Sequence, residues 1–557
     1  MHIIRVEKIL SILVFIALWA ALAAYAGGPI FSDELLYINT GLNNSQVPDY
    51  GNRYFHVYMQ KLFMELAPNP LMGVKVYWAF LIAATALLVY WNARLFSKNT
   101  HIVHGLLGVA FFFSYRMISE YSGVPAADIA AMFMVTVLVS VYLFHQRATK
   151  GRKWALFLLG LISFLAFKTK ETALIANVIL LGLVFDTEGK FNLGQLKPVF
   201  KPFLLGILAG IGVFIILDAV ILRNPFFAIS PATIQAVFQN YAYTGGFRSE
   251  PTSWYSVYLL KSLMMPFLLY LLSGTRLSGG DIPPQKRVIW LFPLVLVAFI
   301  TLNMLKIPWG FIERFYFPAL PVISMLAPQF LNFELPEKCK DWLFFGLIVT
   351  TIFILFFVLR TVFMMYVDSI DWNYGKFLES IYYPILLSIL LGVVIWKRRY
   401  TFVSAALPIF CIISLLVSPL LHNYKYVFKM SFTGEIFEKL YYPFLIFKQH
   451  IPKSERNQMY ISMDIYTDLK MLSDDPYELI AMYNLLFDAR AQRGNVTVGY
   501  QHADILEGIT SYLYDFVIIT EKDWEYIQAQ PNLLQSAQDN YEFISDPQEL
   551  LIFMKQK

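Results

Sequence analysis

Residues 9–34, ILSILVFIALWAALAAYAGGPIFSDE, decide how the chain is interpreted. The run 9–26 is almost wholly apolar and approaches the roughly 20 residues with which a helix crosses a bilayer. It is longer than the roughly 7–15 apolar residues of a secretory signal peptide, so we interpret it as a retained first transmembrane helix. Two adjacent carboxylates, Asp33 and Glu34, follow this run after the six residues 27–32. Since acidic side chains are costly near a bilayer, their position raises the question of what these two carboxylates do there.

The composition extends the membrane assignment to most of the chain. Of the 557 residues, 57% are hydrophobic and only 15% are charged, and the mean hydropathy is +0.55. A soluble domain carries about 25% charged residues. We therefore predict a polytopic α-helical membrane protein with a transmembrane domain over residues 1–424. The less apolar remainder, 425–557, is expected to form a soluble α/β domain.

Charge and cysteine content argue against a nucleic-acid-binding protein, a disulfide-stabilised fold and a cysteine-based metal site. The net charge of +5 is modest. Basic residues lie mostly in short loops, so they indicate membrane topology and predict no nucleic-acid partner. Cys339 lies in a polar loop and Cys411 in an apolar run, so we expect no disulfide framework. Neither cysteine has a neighbouring Cys or His that would suggest a metal site.

About thirteen segments have the length and apolarity of a spanning helix. They lie near residues 9–27, 71–95, 102–118, 124–144, 153–168, 172–186, 199–222, 256–273, 288–305, 316–331, 342–365, 381–396 and 401–421. With a cytoplasmic N-terminus, the basic loops 145–153, 274–287 and 396–400 all face the cytoplasm, as the positive-inside rule requires. Asp33, Glu34 and the C-terminal domain then lie outside. The lack of a retention signal favours a prokaryotic plasma membrane over the endoplasmic reticulum.

Two external segments have the character of substrate-binding elements. The segment 28–70 contains two amphipathic stretches, DELLYINTGLNN and NRYFHVYMQKLFMEL, which we expect to lie along the membrane interface. The segment 223–255 is aromatic and rich in Gly and Pro, which suits a lid over a lipid-linked substrate.

The C-terminal tail alternates strand-like and helical runs. MYISM, NVTVGY, YDFVIIT and QELLIFMK resemble strands, and DPYELIAMYNLLFDARA and KDWEYIQAQ resemble helices. This alternation predicts a small α/β domain with a parallel sheet. No GxGxxG or P-loop marks it as nucleotide-binding. Binding an acceptor and shielding the membrane cleft are both open roles.

Charged residues recur at the predicted outer ends of the helices. Ser32, Asp33 and Glu34 could simply cap a helix, since acids in a first turn favour the helix dipole. Their position at the outer membrane surface is, however, where a general base for a lipid-borne substrate would stand. Glu120 and Asp128, in SEYSGVPAADIAAMF, lie at the same depth. Asp128 begins an apolar helix, where a charge usually has a function, although a helix-packing hydrogen bond is the alternative.

Cationic candidates accompany these acids. Lys170, in FKTKETAL, could counter a phosphate or merely snorkel to the interface. Arg314, in KIPWGFIERFYFPALP, could bind a lipid phosphate in bidentate fashion or be an ordinary interfacial arginine. For His56, in NRYFHVYMQKLF, a solvated interfacial histidine is the favoured interpretation. Together these residues predict an outer cavity that handles an anionic lipid-linked substrate, with carboxylates as base or orienting groups and cations stabilising phosphate.

The order of these motifs resembles the C-type (GT-C) membrane glycosyltransferases, in particular their protein O-mannosyltransferase and lipid A aminoarabinose transferase branch. The resemblance covers about residues 1–330. It is carried by the Asp33–Glu34 pair after the first helix, YFHVYMQKLF with His56 but without the two prolines of that branch, VPAADIAAMF with Asp128, FLAFKTKETAL with Lys170, and ERFYFPALP with Arg314.

This resemblance implies a polyprenyl-phosphate sugar donor and inverting transfer at the outer face to a lipid, polysaccharide or protein acceptor. It implies Asp33 as general base with Glu34 orienting. Lys170 and Arg314 would hold the phosphate, and Asp128 would position substrate or a metal. No cofactor is required by this chemistry. A divalent metal on Asp33 and Asp128 is compatible with it, although no His/Asp spacing specifies one.

Two other classes of function compete. A transporter or flippase of a lipid-linked or anionic solute would also combine many helices with buried charges. Against it, the two halves show no internal repeat, and the charged residues cluster at one predicted face instead of mid-membrane. A scaffold whose soluble tail carries the function would leave Asp33 dispensable.

Overall fold

A computed structural model describes much of the first 330 residues and the strands and helices of the C-terminal tail. The described residues are 2–25, 37–38, 40–42, 44, 46, 53–68, 70–96, 102–115, 118, 126–148, 150–185, 192, 194, 196–231, 233, 235, 266–267, 270–271, 273–274, 284–306, 313–330, 459–462, 496–499, 516–545 and 550–555.

The first part of the chain is helical. Its α-helices within the described residues are α1 His2–Tyr25, α2 Tyr54–Leu66, α3 Pro70–Phe96, α4 Ile102–Ser114, α5 Ala127–Arg147, α6 Arg152–Phe167, α7 Leu196–Leu217, α8 Pro284–Lys306 and α9 Leu320–Leu326. Segments of 3₁₀ helix cover Glu171–Val184, Phe227–Ile229, Glu313–Ala319 and Ala327–Phe330, and a π-helical turn, Asp218–Leu222, extends α7. The predicted sixth helix, 172–186, is therefore 3₁₀ in geometry and separate from α6.

The prediction of a helical membrane protein is confirmed. Within the described residues, the stretches long and apolar enough to cross a membrane are Glu7–Ala24, Met72–Phe96, Ala127–Arg147 and Lys197–Leu222. The candidate spans 342–365, 381–396 and 401–421 lie outside the described residues, as does most of 256–273. The number of thirteen helices and the domain boundary near residue 424 stay predictions.

The helices pack around α3 and α5. Helix α3 contacts α1, α2, α4 and α5, and α5 also contacts α6. Large aromatic side chains fill this core, among them Trp78, Tyr77, Tyr142, Phe111 and Phe112, all at most 2% exposed. Burying a polar side chain in such apolar packing is costly unless it is hydrogen-bonded or paired.

The two ends of the bundle are distinguished by two ion pairs. At one end Glu7, near the start of α1, pairs with Arg94, near the end of α3. At the other end Asp128, in the first turn of α5, pairs with Lys170, which follows α6. We call these ends the Arg94 end and the Lys170 end.

Helices α6 and α7 pack with their backbones in close approach. A Cβ atom placed on Gly160 would lie 2.0 Å from the Phe203 carbonyl oxygen, and one on Gly206 would lie 1.9 Å from that of Phe157. Small residues at such positions let helix backbones approach and gain van der Waals contact where apolar burial supplies no driving force.

The tail forms a five-stranded sheet within the described residues. Its strands are β1 Met459–Ser462, β2 Val496–Gly499, β3 Phe516–Thr520, β4 Tyr541–Ser545 and β5 Leu550–Lys555, with helices α10 Glu521–Gln528 and α11 Pro531–Asn540 between β3 and β4. The strand order is β2-β1-β3-β5-β4. The predicted runs MYISM, NVTVGY, YDFVIIT and QELLIFMK contain β1, β2, β3 and β5, and KDWEYIQAQ contains all of α10 except its first residue, Glu521.

The expectation of a parallel sheet is only partly correct. Strand β1 pairs in parallel with β2 and β3, whereas β5 pairs antiparallel with both β3 and β4. The connection 546–549 between β4 and β5 is too short for a parallel crossover, which needs a dozen or more residues. The predicted helix DPYELIAMYNLLFDARA lies outside the described residues.

The glycine contact of α6 and α7 makes a stability prediction. We expect Gly206→Ala to lower the free energy of unfolding by about 1–3 kcal/mol, because the added methyl group would overlap the Phe157 carbonyl. Gly212→Ala, on the same helix, meets nothing within 4 Å. It should be neutral or stabilising by up to about 1 kcal/mol. Unfolding of both variants in detergent micelles measures this, and equal stabilities would contradict the close packing.

Candidate active site

A buried ion pair between Lys170 and Asp128 lies at the Lys170 end of the bundle. The Lys170 Nζ lies 2.6 Å from Oδ1 of Asp128, and these residues are only 5% and 2% exposed. The same Nζ lies 4.7 Å from the centre of the Phe315 ring. Lys170 is therefore held between a carboxylate and an aromatic face, both of which attract an ammonium group.

The local sequence explains how this pair forms. Asp128 stands in the first turn of α5, where a negative charge is favoured by the helix dipole. Lys170 lies in the turn 168–170 that separates α6 from the segment Glu171–Val184. A lysine that snorkelled to water would be exposed, so that alternative does not describe Lys170.

His56 is buried, which corrects the expectation of a solvated interfacial histidine. Its side chain is fully enclosed, and Nδ1 lies 3.0 Å from the Tyr77 hydroxyl on α3. The Tyr37 ring packs edge-on against the imidazole at 5.4 Å between centroids. The amphipathic pattern of α2 does predict a helix there. His56 lies on the face that packs against α3.

The other predicted site residues are placed only in part. Arg314 lies in the 3₁₀ segment Glu313–Ala319, directly before Phe315, so its backbone is at the Lys170 end. Its side chain lies outside what the structure describes. Asp33, Glu34 and Glu120 lie outside the described residues.

Helix α2 is attached at its start to the turn that carries Lys170. The Arg53 guanidinium lies 3.6 Å from the Glu171 carboxylate. The Phe55 backbone N–H donates to the Lys168 carbonyl oxygen at 3.0 Å. Both contacts fasten the start of α2 to the turn that carries Lys170.

Tyr37, the first described residue of the segment 28–70, packs on the same helix. Arg53 donates a hydrogen bond to the Tyr37 hydroxyl. Tyr37 also shares a small buried cluster with Val57 of α2 and Ala127, the neighbour of Asp128. Tyr37 is four positions beyond Asp33 in the chain. The segment that follows the predicted base is therefore attached to α2 and to the start of α5.

A second buried polar cluster adjoins the first. The Tyr58 hydroxyl donates to Oδ1 of Asp218 at 2.5 Å. The charge of Asp218 also acts on the Lys168 ammonium. These three residues are 5%, 1% and 2% exposed. Burial lowers the pKa of Lys168, in the turn outside the helices, to about 8, although the charge of Asp218 acts in the opposite direction. Burial first, and the contact with Asp218 second, raise the pKa of Tyr58.

The sequence interpretation missed Asp218 and Tyr58. The available signal was an acidic residue within the apolar run 199–222, a placement that usually marks a partner or a function. Nothing in the sequence identified Tyr58 as that partner, because the two residues are 160 positions apart.

The metal expectation is not decided by these contacts. Within the described residues there is no group of three or more His, Cys, Asp or Glu side chains that could hold a metal ion. Of the two carboxylates expected as ligands, Asp128 pairs with Lys170, and Asp33 lies outside the described part of the chain. A divalent metal at Asp33 and Asp128 stays a prediction.

Comparison with solved structures shows that the chain shares the fold of ArnT. The chain is similar to the lipid A aminoarabinose transferase ArnT from Cupriavidus metallidurans bound to undecaprenyl phosphate, with a TM-score of 0.61 and 11% identity over 98% of this chain and 97% of ArnT. For apo ArnT the TM-score is 0.58, with 12% identity over 99% and 98% of the two chains. The resemblance inferred from the motif order is confirmed as a shared fold.

Sequence comparison adds no closer relationship. No protein-family model matches the sequence, and a sequence search among curated proteins finds no match. At 11–12% identity the likeness to ArnT is one of fold.

The buried ion pair makes a second prediction. Asp128→Leu should lower the free energy of unfolding by about 3–5 kcal/mol, because it leaves the Lys170 ammonium without its buried counter-charge. The double variant Asp128→Leu/Lys170→Met should recover most of this loss, since both charges are then absent. Unfolding in detergent measures the coupling. Additive losses in the double variant would contradict a direct interaction.

Lys168 makes a pH-dependent prediction. Its folded pKa of about 8 lies below its ordinary value of 10.5, so between these values the unfolded chain binds more protons than the folded one. Stability should therefore rise with pH across this window. The thermal midpoint in detergent should rise less in Lys168→Met than in wild type. Parallel pH profiles would show that Lys168 is not responsible.

Proposed function

We propose that this protein is an integral-membrane glycosyltransferase that moves a sugar from a polyprenyl-phosphate donor to an acceptor hydroxyl. The observation that carries the proposal is the fold shared with ArnT, which was solved bound to undecaprenyl phosphate, over 98% of this chain. The buried cation–carboxylate pair at one end of the bundle supports it, because an anionic lipid-linked donor needs compensating charge there.

In the proposed reaction the acceptor hydroxyl loses its proton to Asp33, and its oxygen attacks the anomeric carbon of the sugar. The bond from that carbon to the phosphate oxygen breaks, and polyprenyl phosphate leaves with the electron pair. A single displacement of this kind inverts the anomeric centre. Glu34 orients the acceptor, and the proton ends on the Asp33 carboxylate.

The leaving phosphate needs stabilisation of negative charge and no proton. Lys170 and Arg314 supply this charge in our proposal. Asp128 keeps Lys170 protonated and in place, which its 2.6 Å contact with the ammonium supports. Glu120 and His56 belong to the same substrate-binding region. His56 acts there by fixing α2 against Tyr77, since its buried ring contacts that hydroxyl.

The proposed setting is the plasma membrane, with a cytoplasmic N-terminus and the Lys170 end facing outward. The C-terminal domain, 425–557, would be extracytoplasmic and would bind the acceptor or cover the cleft. The donor carries a hexose or a pentose, and the acceptor is a lipid, a polysaccharide or a protein. In the described residues the ion pairs Glu7–Arg94 and Asp128–Lys170 lie at opposite ends of the bundle, so they give no support to a mid-membrane transport site.

Release of polyprenyl phosphate tests the assignment of the base. Purified wild type and Asp33→Asn would be incubated with a panel of polyprenyl-phosphate sugars and cell-envelope extract as acceptor. Turnover by wild type should fall about 10²–10⁴-fold in Asp33→Asn, because the general base is lost, while donor binding persists. Equal turnover would remove Asp33 from the chemistry. No turnover with any donor would overturn the proposed activity.

The role of Lys170 has a matched control at the other end of the bundle. Lys286, also buried, donates to the carbonyl oxygens of Leu95 and Phe96 at 2.9 and 3.1 Å. Lys170→Met should lower turnover per folded molecule about 10²–10³-fold, because charge stabilisation of the leaving phosphate is lost. Lys286→Met should retain it. Similar losses in both variants would point to a general effect of removing a buried lysine.

A further inference from the structure

The contact between Tyr58 and Asp218 joins two distant parts of the chain. Tyr58 lies on α2, and Asp218 begins the π-helical turn that extends α7. The hydroxyl donates to the carboxylate at 2.5 Å, and both side chains are buried. A buried carboxylate of this kind is costly unless it is hydrogen-bonded, and the Tyr58 hydroxyl supplies that hydrogen bond. The contact therefore constrains where α2 can lie.

The turn at the end of α7 also forms hydrogen bonds with Gln46, in the segment 28–70. Gln46 donates from Nε2 to the Leu222 carbonyl at 3.1 Å, and Asn224 donates from Nδ2 to the Gln46 Oε1 at 3.0 Å. Between them, Arg223 has a left-handed backbone with φ 56°. The π-helical geometry and this left-handed residue direct the chain so that both groups face Gln46. Such π-turns occur frequently at functional sites.

Helix α2 and the residue before it also contact residues that follow the predicted base, Asp33, in the chain. Besides the Arg53–Tyr37 hydrogen bond, Lys61 donates from Nζ to the Gly41 carbonyl at 3.1 Å. Residues 37 and 41 are four and eight positions beyond Asp33. A displacement of α2 would therefore move the segment that follows Asp33 and Glu34.

We propose that Asp218 is a positioning residue for the transfer reaction. By holding Tyr58 it fixes α2 against the Lys170 end, and α2 in turn holds residues 37 and 41, which follow Asp33 and Glu34 in the chain. The inference rests on the proposed function. Neither Asp218 nor Tyr58 touches a reacting atom in this scheme. Their contribution is to the distance between the base and the acceptor, to which rate is highly sensitive.

Apolar packing alone is the competing explanation for the placement of α2. Tyr58 also belongs to a buried aromatic and aliphatic cluster with Tyr54, Phe214, Leu222 and Phe227. Tyr58→Phe keeps the ring in that cluster and removes only the hydroxyl. Asp218→Asn keeps an oxygen that can accept from Tyr58, whereas Asp218→Leu removes it. These three variants separate the hydrogen bond from the packing.

The kinetic experiment uses full-length protein with a polyprenyl-phosphate sugar. Tyr58→Phe and Asp218→Leu should lower kcat about tenfold and leave KM for the donor within about twofold, because the base is misplaced while the phosphate-binding groups are not. Asp218→Asn should retain at least a third of the wild-type kcat. Tyr142→Phe is the matched control, since this buried tyrosine donates at 2.7 Å to the Gln285 carbonyl. It should keep wild-type kinetics.

Hydrogen exchange gives a readout that needs no turnover. Backbone amides of residues 54–66 should exchange at least about threefold faster in Tyr58→Phe than in wild type, and at the wild-type rate in Tyr142→Phe. If wild type turns over no donor, the proposed function fails, whereas exchange still tests the attachment of α2. Unchanged exchange in Tyr58→Phe would overturn the positioning role. So would faster exchange with wild-type kcat in an active enzyme.

Discussion

The Lys170 end depends on one constraint, the need of a buried ammonium for a counter-charge. Lys170 satisfies it with Asp128 at 2.6 Å and with the face of Phe315. These three residues come from the turn after α6, the first turn of α5 and the 3₁₀ segment Glu313–Ala319. A single electrostatic requirement thus brings three separate elements together, because leaving either charge uncompensated in an apolar bundle would cost several kcal/mol.

The two ends of the bundle use buried charge differently. At the Arg94 end, Arg94 pairs with Glu7, and Lys286 donates to the last carbonyls of α3, which ties helix termini together. At the Lys170 end the buried charges adjoin Tyr37 and α2. There, polar contacts to Tyr37, Glu171 and Asp218 accompany the apolar packing of α2. This asymmetry supports the proposed placement of the active site at the Lys170 end.

The proposed chemistry accounts for the arrangement of cations and acids. Polyprenyl phosphate carries its charge at the membrane surface and its chain in the bilayer, so charged groups at a helix end and apolar helix sides are both needed. Helix α7 offers such a side, with Leu204, Leu208 and Ile216 exposed by 38%, 52% and 63%. The π-helical turn that extends this helix begins at Asp218, which in our proposal positions α2. A lipid-facing surface and a positioning contact therefore belong to one helix and the turn that extends it.

The sequence by itself determined the membrane class, most helix positions in the described part of the first 330 residues, four of the five described strands, and the motif order that resembles the GT-C glycosyltransferases. These follow from apolar run length and local periodicity, which report burial along one segment. The burial of His56, the partnership of Tyr58 with Asp218 across 160 positions, and the antiparallel half of the sheet were decided by tertiary structure. Local periodicity cannot specify which helix faces or strand edges meet, because that depends on the packing of elements far apart in the chain.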